Sequence, residues 1–186
     1  MKKYIRIVAG QYRRTPIAVP DLPGLRPTPD RVRETLFNWL THLWQDDFND
    51  KHVLDLFAGS GALGFEAASR GVAHVQMIES SPVAVAALRQ LRDKLDAKNV
   101  RIHAGDAKQA LDRLEAARFD LICLDPPFHQ NWFPGLLTSV YPLLNDNGLV
   151  YAEAERPLEV PGGYIALRQG RASAVHYQLL QRIAMP

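Results

Sequence analysis

The sequence predicts an α/β fold: a mostly parallel sheet with helices on both faces, a C-terminal antiparallel hairpin and a small N-terminal extension. Two observations predict it. From residue 52 onward, apolar runs of strand length alternate with helix-length stretches, the pattern of repeated strand–helix–strand crossovers. The apolar runs also stop abruptly at Gly, Asp, Glu or Pro. Ligands of such sheets bind beyond the carboxyl ends of the strands, so chemistry is expected at residues 55–61, 79, 105–107 and 125–128.

Taken in order, residues 4–20 read as a small extended unit, with Gly10 at a turn or bulge and Pro16 and Pro20 as punctuation. Residues 21–28 read as a Pro/Gly loop. A helix follows, with Thr28 as N-cap, Pro29 at the first helical position and Asp30 at the positive end of the dipole. Val32, Leu36, Phe37, Leu40 and Leu43 fall on one face of it. His52–Phe57 is a strand, and Ala62–Arg70 a helix closed by Gly71. Strands at Ala73–Ile78, Val100–Ala104, Phe119–Leu124 and Leu149–Ala154 alternate with helices at Val83–Leu95, Ala107–Ala116 and Trp132–Leu144. Tyr164–Arg168 and Ala172–Gln181 read as a hairpin turning at Gly170-Arg171. Residues 1–28 are expected to form a basic extension and residues 29–186 one globular unit.

The 186 residues, 47% of them hydrophobic, favour one domain with a sizeable core. Cys123 is the single cysteine, which excludes an intrachain disulfide; its apolar setting, Leu121–Leu124, reads as a buried inert thiol. No apolar run is long enough for a signal-peptide core or a membrane span, so a cytoplasmic protein is expected. The net charge is only +2, but residues 1–33 carry eight Lys/Arg against Asp21 and Asp30. A basic segment on an acidic body reads either as a polyanion contact or as a solvated strand pair.

The strand ends carry the chemistry. Gly59, Gly61 and Gly64 form G-x-G-x-x-G after the first sheet strand, a loop that lets backbone approach a nucleotide-bearing ligand. Asp55 precedes it, where a carboxylate suits the ammonium and sulfonium of S-adenosylmethionine and repels a pyrophosphate; alternatively it bonds the amides of the turn. Glu79 lies 18 residues after Gly61, the place for an acceptor of ribose hydroxyls. Asp106, before Ala107, either accepts an adenine amine or caps the next helix. Asp125-Pro126-Pro127-Phe128 is the most specific signal. Two prolines fix a non-helical backbone and remove two donors. Asp125 and the Pro126 carbonyl can then accept both hydrogens of an exocyclic amine, while Phe128 stacks on the base. No clustered His or Cys suggests a metal, and His129 reads as a loop residue.

Together these residues resemble the amino-methyltransferases that carry (Asp/Asn)-Pro-Pro-(Tyr/Phe). The segments 5–13 and 24–38, with Arg26-Pro27-Thr28, and the loop 55–64 are similar to the RsmD family, bacterial 16S ribosomal RNA guanine-N2 methyltransferases. The likeness spans the whole chain and departs at Arg14-Thr15, where the family carries Gly after the basic residue. It implies a Rossmann-like S-adenosylmethionine-dependent methyltransferase fold. It also implies a substrate, one guanine of 16S rRNA within an assembled or partly assembled small subunit; a monomer that needs neither metal nor membrane is expected. The expected cofactor residues are Arg26, Thr28, Asp55, Phe57, Gly59, Ser60, Gly61, Glu79, Asp106 and Ala107. The expected catalytic segment is Asp125, Pro126, Pro127 and Phe128, and the RNA contacts are Arg6, Arg13, Arg14, Arg31 and Arg33. The alternatives are a DNA adenine-N6 or cytosine-N4 methyltransferase, a non-catalytic RNA-binding assembly factor, and a nicotinamide-dependent dehydrogenase, which leaves Asp125–Phe128 unexplained.

Overall fold

A computed structural model describes residues 3–22, 28–127 and 132–184. Arg26, Phe128 and His129 lie outside the described residues. Strands β1 (Lys3–Arg6) and β2 (Pro16–Val19) pair as an antiparallel hairpin, and helix α1 (Asp30–Leu43) follows. Then come β3 (His52–Asp55), α2 (Ala62–Ser69), β4 (His74–Glu79), α3 (Pro82–Leu95), β5 (Val100–Ala104), α4 (Ala107–Leu111) and β6 (Phe119–Leu124). The chain closes with α5 (Phe133–Val140), a 3-10 turn at Tyr141–Leu143, β7 (Leu144–Ala154), β8 (Tyr164–Ala172) and β9 (Val175–Arg182). The seven-stranded sheet runs β5-β4-β3-β6-β7-β9-β8. Its first five strands are parallel and its last two antiparallel, the mostly parallel, Rossmann-like sheet with a C-terminal antiparallel hairpin that the sequence predicts. The order reverses at β3, so the crevice opens beyond β3 and β6.

Two hydrophobic layers sandwich the sheet. Leu36, Phe37 and Leu40 of α1 and Phe65 of α2 pack with Val53, Leu121 and Tyr151 on one face. Leu136, Leu137 and Val140 of α5 pack with Leu54, Ile122 and Val150 on the other. The alternation follows from the two-residue period of a strand. Third in the glycine pattern, Gly64 permits the close α2–β4 approach, since a Cβ there would lie 2.4 Å from Met77 Cε.

The N-terminal hairpin is built into this core. Ile7 and Ile17 are buried among α1 side chains. The fully buried Glu66 carboxylate accepts from the Val8 and Ala9 amides at 2.7 and 3.1 Å and from Arg70 Nε at 3.0 Å. Ser69 Oγ accepts from the Tyr12 amide and donates to the Ala9 carbonyl. Gly10, at φ +79°, presses against this clamp: an added Cβ would stand 1.9 Å from the Ser69 carbonyl oxygen. Gly10→Ala therefore combines a left-handed backbone with a backbone collision, and is expected to cost at least about 2 kcal/mol in urea unfolding. An unchanged midpoint would show that the hairpin is not held there. Arg14 sits at φ +68° and donates its amide to Ile7 O, a left-handed conformation that a glycine takes without strain.

Several boundaries differ from the sequence reading. Thr28 does not cap α1: Pro29 occupies that position, no side chain caps the helix, and the Thr28 hydroxyl donates to Glu153 instead. Leu56 and Phe57 have already left β3 for the turn. Helix α4 stops at Leu111, and the chain returns early to bond Ala117 N and Arg118 N to the carbonyls of Pro142 and Leu143. The last helix gives way to a 3-10 turn at Tyr141–Leu143, where Pro142 has no amide to donate. Strand β7 starts at Leu144, not 149, because Leu144 pairs with Phe119 across a register shift despite the turn-like Asn145–Gly148. The β8–β9 turn falls at Ser173-Ala174. Gly170 lies within β8, where a Cβ would meet the Tyr177 ring at 2.4 Å.

Candidate active site

A cavity of about 660 Å³ opens at the carboxyl ends of β3 to β7. Thr28, Asp55, Phe57, Gly59, Ser60, Glu79, Asp106, Ala107, Asp125, Pro126 and Pro127 all line it. Gly61 does not. It is the left-handed N-cap of α2 (φ +81°), and a Cβ there would strike Leu88 and Phe65 within 2.8 Å, so it shapes the loop from behind.

Each strand end presents an oxygen acceptor. Asp106 caps α4 through Oδ1, which accepts from Lys108 N at 2.9 Å and Gln109 N at 3.4 Å. Glu79 Oε2 accepts from Gly59 N at 2.8 Å and its Oε1 from Ser81 N at 2.7 Å. The carboxylate thus fastens the glycine loop to the start of α3, and each oxygen retains lone pairs for hydroxyl donors. Asp55, only 1% exposed, accepts from Gly64 N at 3.0 Å. Burial, then the nearby charges of Glu79 and Glu153, push its pKa up to about 7 against the pull of backbone hydrogen bonds.

Asp125 follows β6 and keeps part of its surface open to the cavity. Desolvation, then the charges of Glu153 and Asp55, hold its carboxyl well above the usual range, against the pull of the nearby Thr28 hydroxyl. Glu153 is the residue the sequence reading missed. It is 4% exposed near the end of β7, lines the same cavity, and its Oε1 accepts from Thr28 Oγ1 and Tyr151 OH, each at 2.9 Å. Its pKa is also raised, first by burial. The only sequence signal was a Glu after an apolar strand, a common strand exit. Lys3, Leu22 and the β8–β9 turn, Ala172–Val175, complete the rim. Trp132 stands edge-on to Phe57, centroids 4.9 Å apart, with Lys108 Nζ 5.0 Å from its ring centre.

Lys3 is the sole basic side chain among the described lining residues. Three carboxyl groups with raised pKa values beside one lysine make a site for a cation. The donor set fits S-adenosylmethionine: Glu79 and Asp106 for its adenosine, Asp55 for its cationic amino-acid end.

Of the predicted RNA contacts, Arg13, Arg14 and Arg31 are exposed, and Arg6 is exposed while pairing with Asp30 at 3.0 Å. Arg33 is a correction. Its side chain is fully buried, pairs with Asp30 Oδ1 at 2.5 Å and donates to Arg6 O at 2.7 Å, so it joins α1 to the hairpin and offers nothing to a phosphate. Cys123 is buried beneath the carboxyl cluster, and burial pushes its thiol well up, as an inert thiol requires.

The family model described as "Conserved hypothetical protein 95" matches residues 5–181. Ribosomal RNA small subunit methyltransferase D of Escherichia coli K12 is 41% identical, covering 97% of this chain and 91% of the relative. The solved structure of the yhhF protein from Escherichia coli superimposes with TM-score 0.85 at 37% identity, over 98% of this chain and all of that one. SMU.776, solved in complex with SAH, shares the fold alone, with TM-score 0.62 at 19% identity over 81% of this chain and 48% of that one. The chain belongs to the RsmD family and is a methyltransferase.

Proposed function

We propose that the protein methylates the exocyclic N2 amine of a guanine in 16S ribosomal RNA, with S-adenosylmethionine as methyl donor. The observation that carries this reading is the rigid Asp125-Pro126-Pro127 exit of β6, placed beside the adenosine-facing acceptors Glu79 and Asp106 in one cavity. The relative's name, ribosomal RNA small subunit methyltransferase D, supports the choice of RNA.

The donor supplies an electrophilic methyl group on a sulfonium. The chain's own residues do the rest. Glu79 accepts from ribose hydroxyls, Asp106 and the Ala107 backbone border the adenine, and Ser60 and the Gly59 backbone line the loop beside Asp55. Asp125 and the Pro126 carbonyl accept hydrogens of the guanine amine, which draws its lone pair out of the ring and aims it at the methyl. Burial gives Asp125 the proton affinity to receive the hydrogen that departs. Catalysis then rests on positioning and on charge placed before the reaction begins. The base enters flipped or already unpaired, because a stacked base cannot reach a strand-end cleft. Arg6, Arg13, Arg14 and Arg31, all exposed, meet the flanking phosphates in this reading.

The test uses methyl-labelled S-adenosylmethionine with small ribosomal subunits from cells lacking the enzyme, and naked rRNA and genomic DNA in parallel. Label recovered as N2-methylguanosine from the subunits is the expected result. Label on DNA adenine or cytosine overturns the substrate, and retained cofactor binding with no label points to a non-catalytic assembly factor.

A further inference from the structure

The mechanism above uses every strand-end acceptor except Glu153. Across the sheet the acceptors follow the order Asp106, Glu79, Asp55, Asp125 and Glu153, on β5, β4, β3, β6 and β7. The adenosine-facing pair is at one end of this row and Glu153 at the other. A base held by Asp125 on the side away from the adenosine therefore lies over the end of β7.

Register brings the two acids together. Leu124 pairs with Ala152 in parallel, so the chain leaves β6 at Asp125 next to the β7 position of Glu153; both line the cavity, and of the neighbouring charges that of Glu153 acts most on Asp125. Glu153 is fixed in place, since two neutral hydroxyls, Thr28 and Tyr151, donate to its Oε1. Among the described residues no basic side chain forms a salt bridge with it. A buried carboxylate held by hydroxyls and lining a cavity carries a desolvation cost that an ion pair does not offset.

The chemistry of the bases says what that acceptor is for. Guanine's exocyclic amine adjoins a ring N1–H donor. The amines of adenine and cytosine adjoin a ring nitrogen lone pair and no ring N–H, whereas guanine's has the N1–H on one side and the N3 lone pair on the other. We propose that Glu153 reads the target base by accepting the guanine N1–H while Asp125 and the Pro126 carbonyl hold the N2 amine. An adenine or cytosine seated the same way sets a lone pair against the carboxylate and is rejected.

This assignment rests on the guanine reading above, and the test separates the two. Once labelling has located the modified guanosine, small subunits are reconstituted with 2-aminopurine riboside at that position. The analogue keeps the 2-amine and lacks N1–H. The wild-type enzyme is expected to prefer guanosine by about 100-fold or more in kcat/KM. Glu153→Gln can donate to the bare ring nitrogen and is expected to shrink that preference at least about tenfold. Its S-adenosylmethionine affinity by calorimetry should stay within about threefold of wild type. A wild-type preference near unity overturns the assignment whether or not the variant folds. An unchanged ratio in Glu153→Gln, or cofactor affinity lost in step with turnover, overturns it too and leaves the guanine reading standing. Label on adenine or cytosine in the first step overturns both.

Discussion

Asp125→Ala is expected to lower the rate of methyl transfer by at least about 1,000-fold, with S-adenosylmethionine affinity changed by less than about threefold. The asymmetry follows from where the group stands. Asp125 sits past Glu79 and Asp106 along the row of strand ends, with part of its surface open to the cavity. In the proposed reading it touches the amine and not the nucleoside of the donor. Removing it also relieves repulsion with Glu153 and Asp55, so the fold should survive. Asp125→Asn keeps a carbonyl acceptor and should retain more activity than Asp125→Ala while losing the proton acceptor. Single-turnover rates with labelled donor, beside calorimetry of donor binding, check both. Parallel loss of binding and turnover in Asp125→Ala would make Asp125 structural.

Asp55→Asn is expected to do the opposite: stabilise the ligand-free protein at pH 8 and weaken donor binding. Asp55 titrates near 7 in the folded chain, against 3.8 for an ordinary aspartate, chiefly because it is buried. A carboxyl whose pKa is raised by folding contributes stability that is complete below about pH 4 and is lost as pH climbs through about 7. The shift corresponds to at most about 4 kcal/mol missing at pH 8. Asparagine keeps an acceptor for Gly64 N and carries no charge to desolvate. Its unfolding midpoint should exceed wild type at pH 8 and converge with it near pH 4. A cationic donor restores what ionisation costs, so wild-type affinity for S-adenosylmethionine should tighten from pH 6 to pH 8. In Asp55→Asn that slope should flatten and affinity should fall at least about tenfold. A variant less stable than wild type at pH 8 would mean that hydrogen bonding, not desolvation, dominates at this position.

The sequence by itself determined the alternating architecture, the strand ends that line the cavity and the family. Each of these is written in local signals: apolar runs of strand length, Gly59-x-Gly61-x-x-Gly64, and the double proline after Asp125. Tertiary structure decided the rest wherever a residue's partner is far along the chain. Thr28 looked like a helix cap and spends its hydroxyl on Glu153, 125 residues away. Arg33 looked like a phosphate ligand on a basic helix end and is buried, bridging α1 to the Arg6 carbonyl. Gly170 looked like a turn and instead makes room for the Tyr177 ring on the paired strand. Glu153 looked like any acid after an apolar run and became part of the site only because β7 pairs with β6 in a register that sets it beside Asp125. A local pattern fixes what a residue can do. Register and packing fix which partner it finds, and that pairing free energy is absent from any short window of sequence.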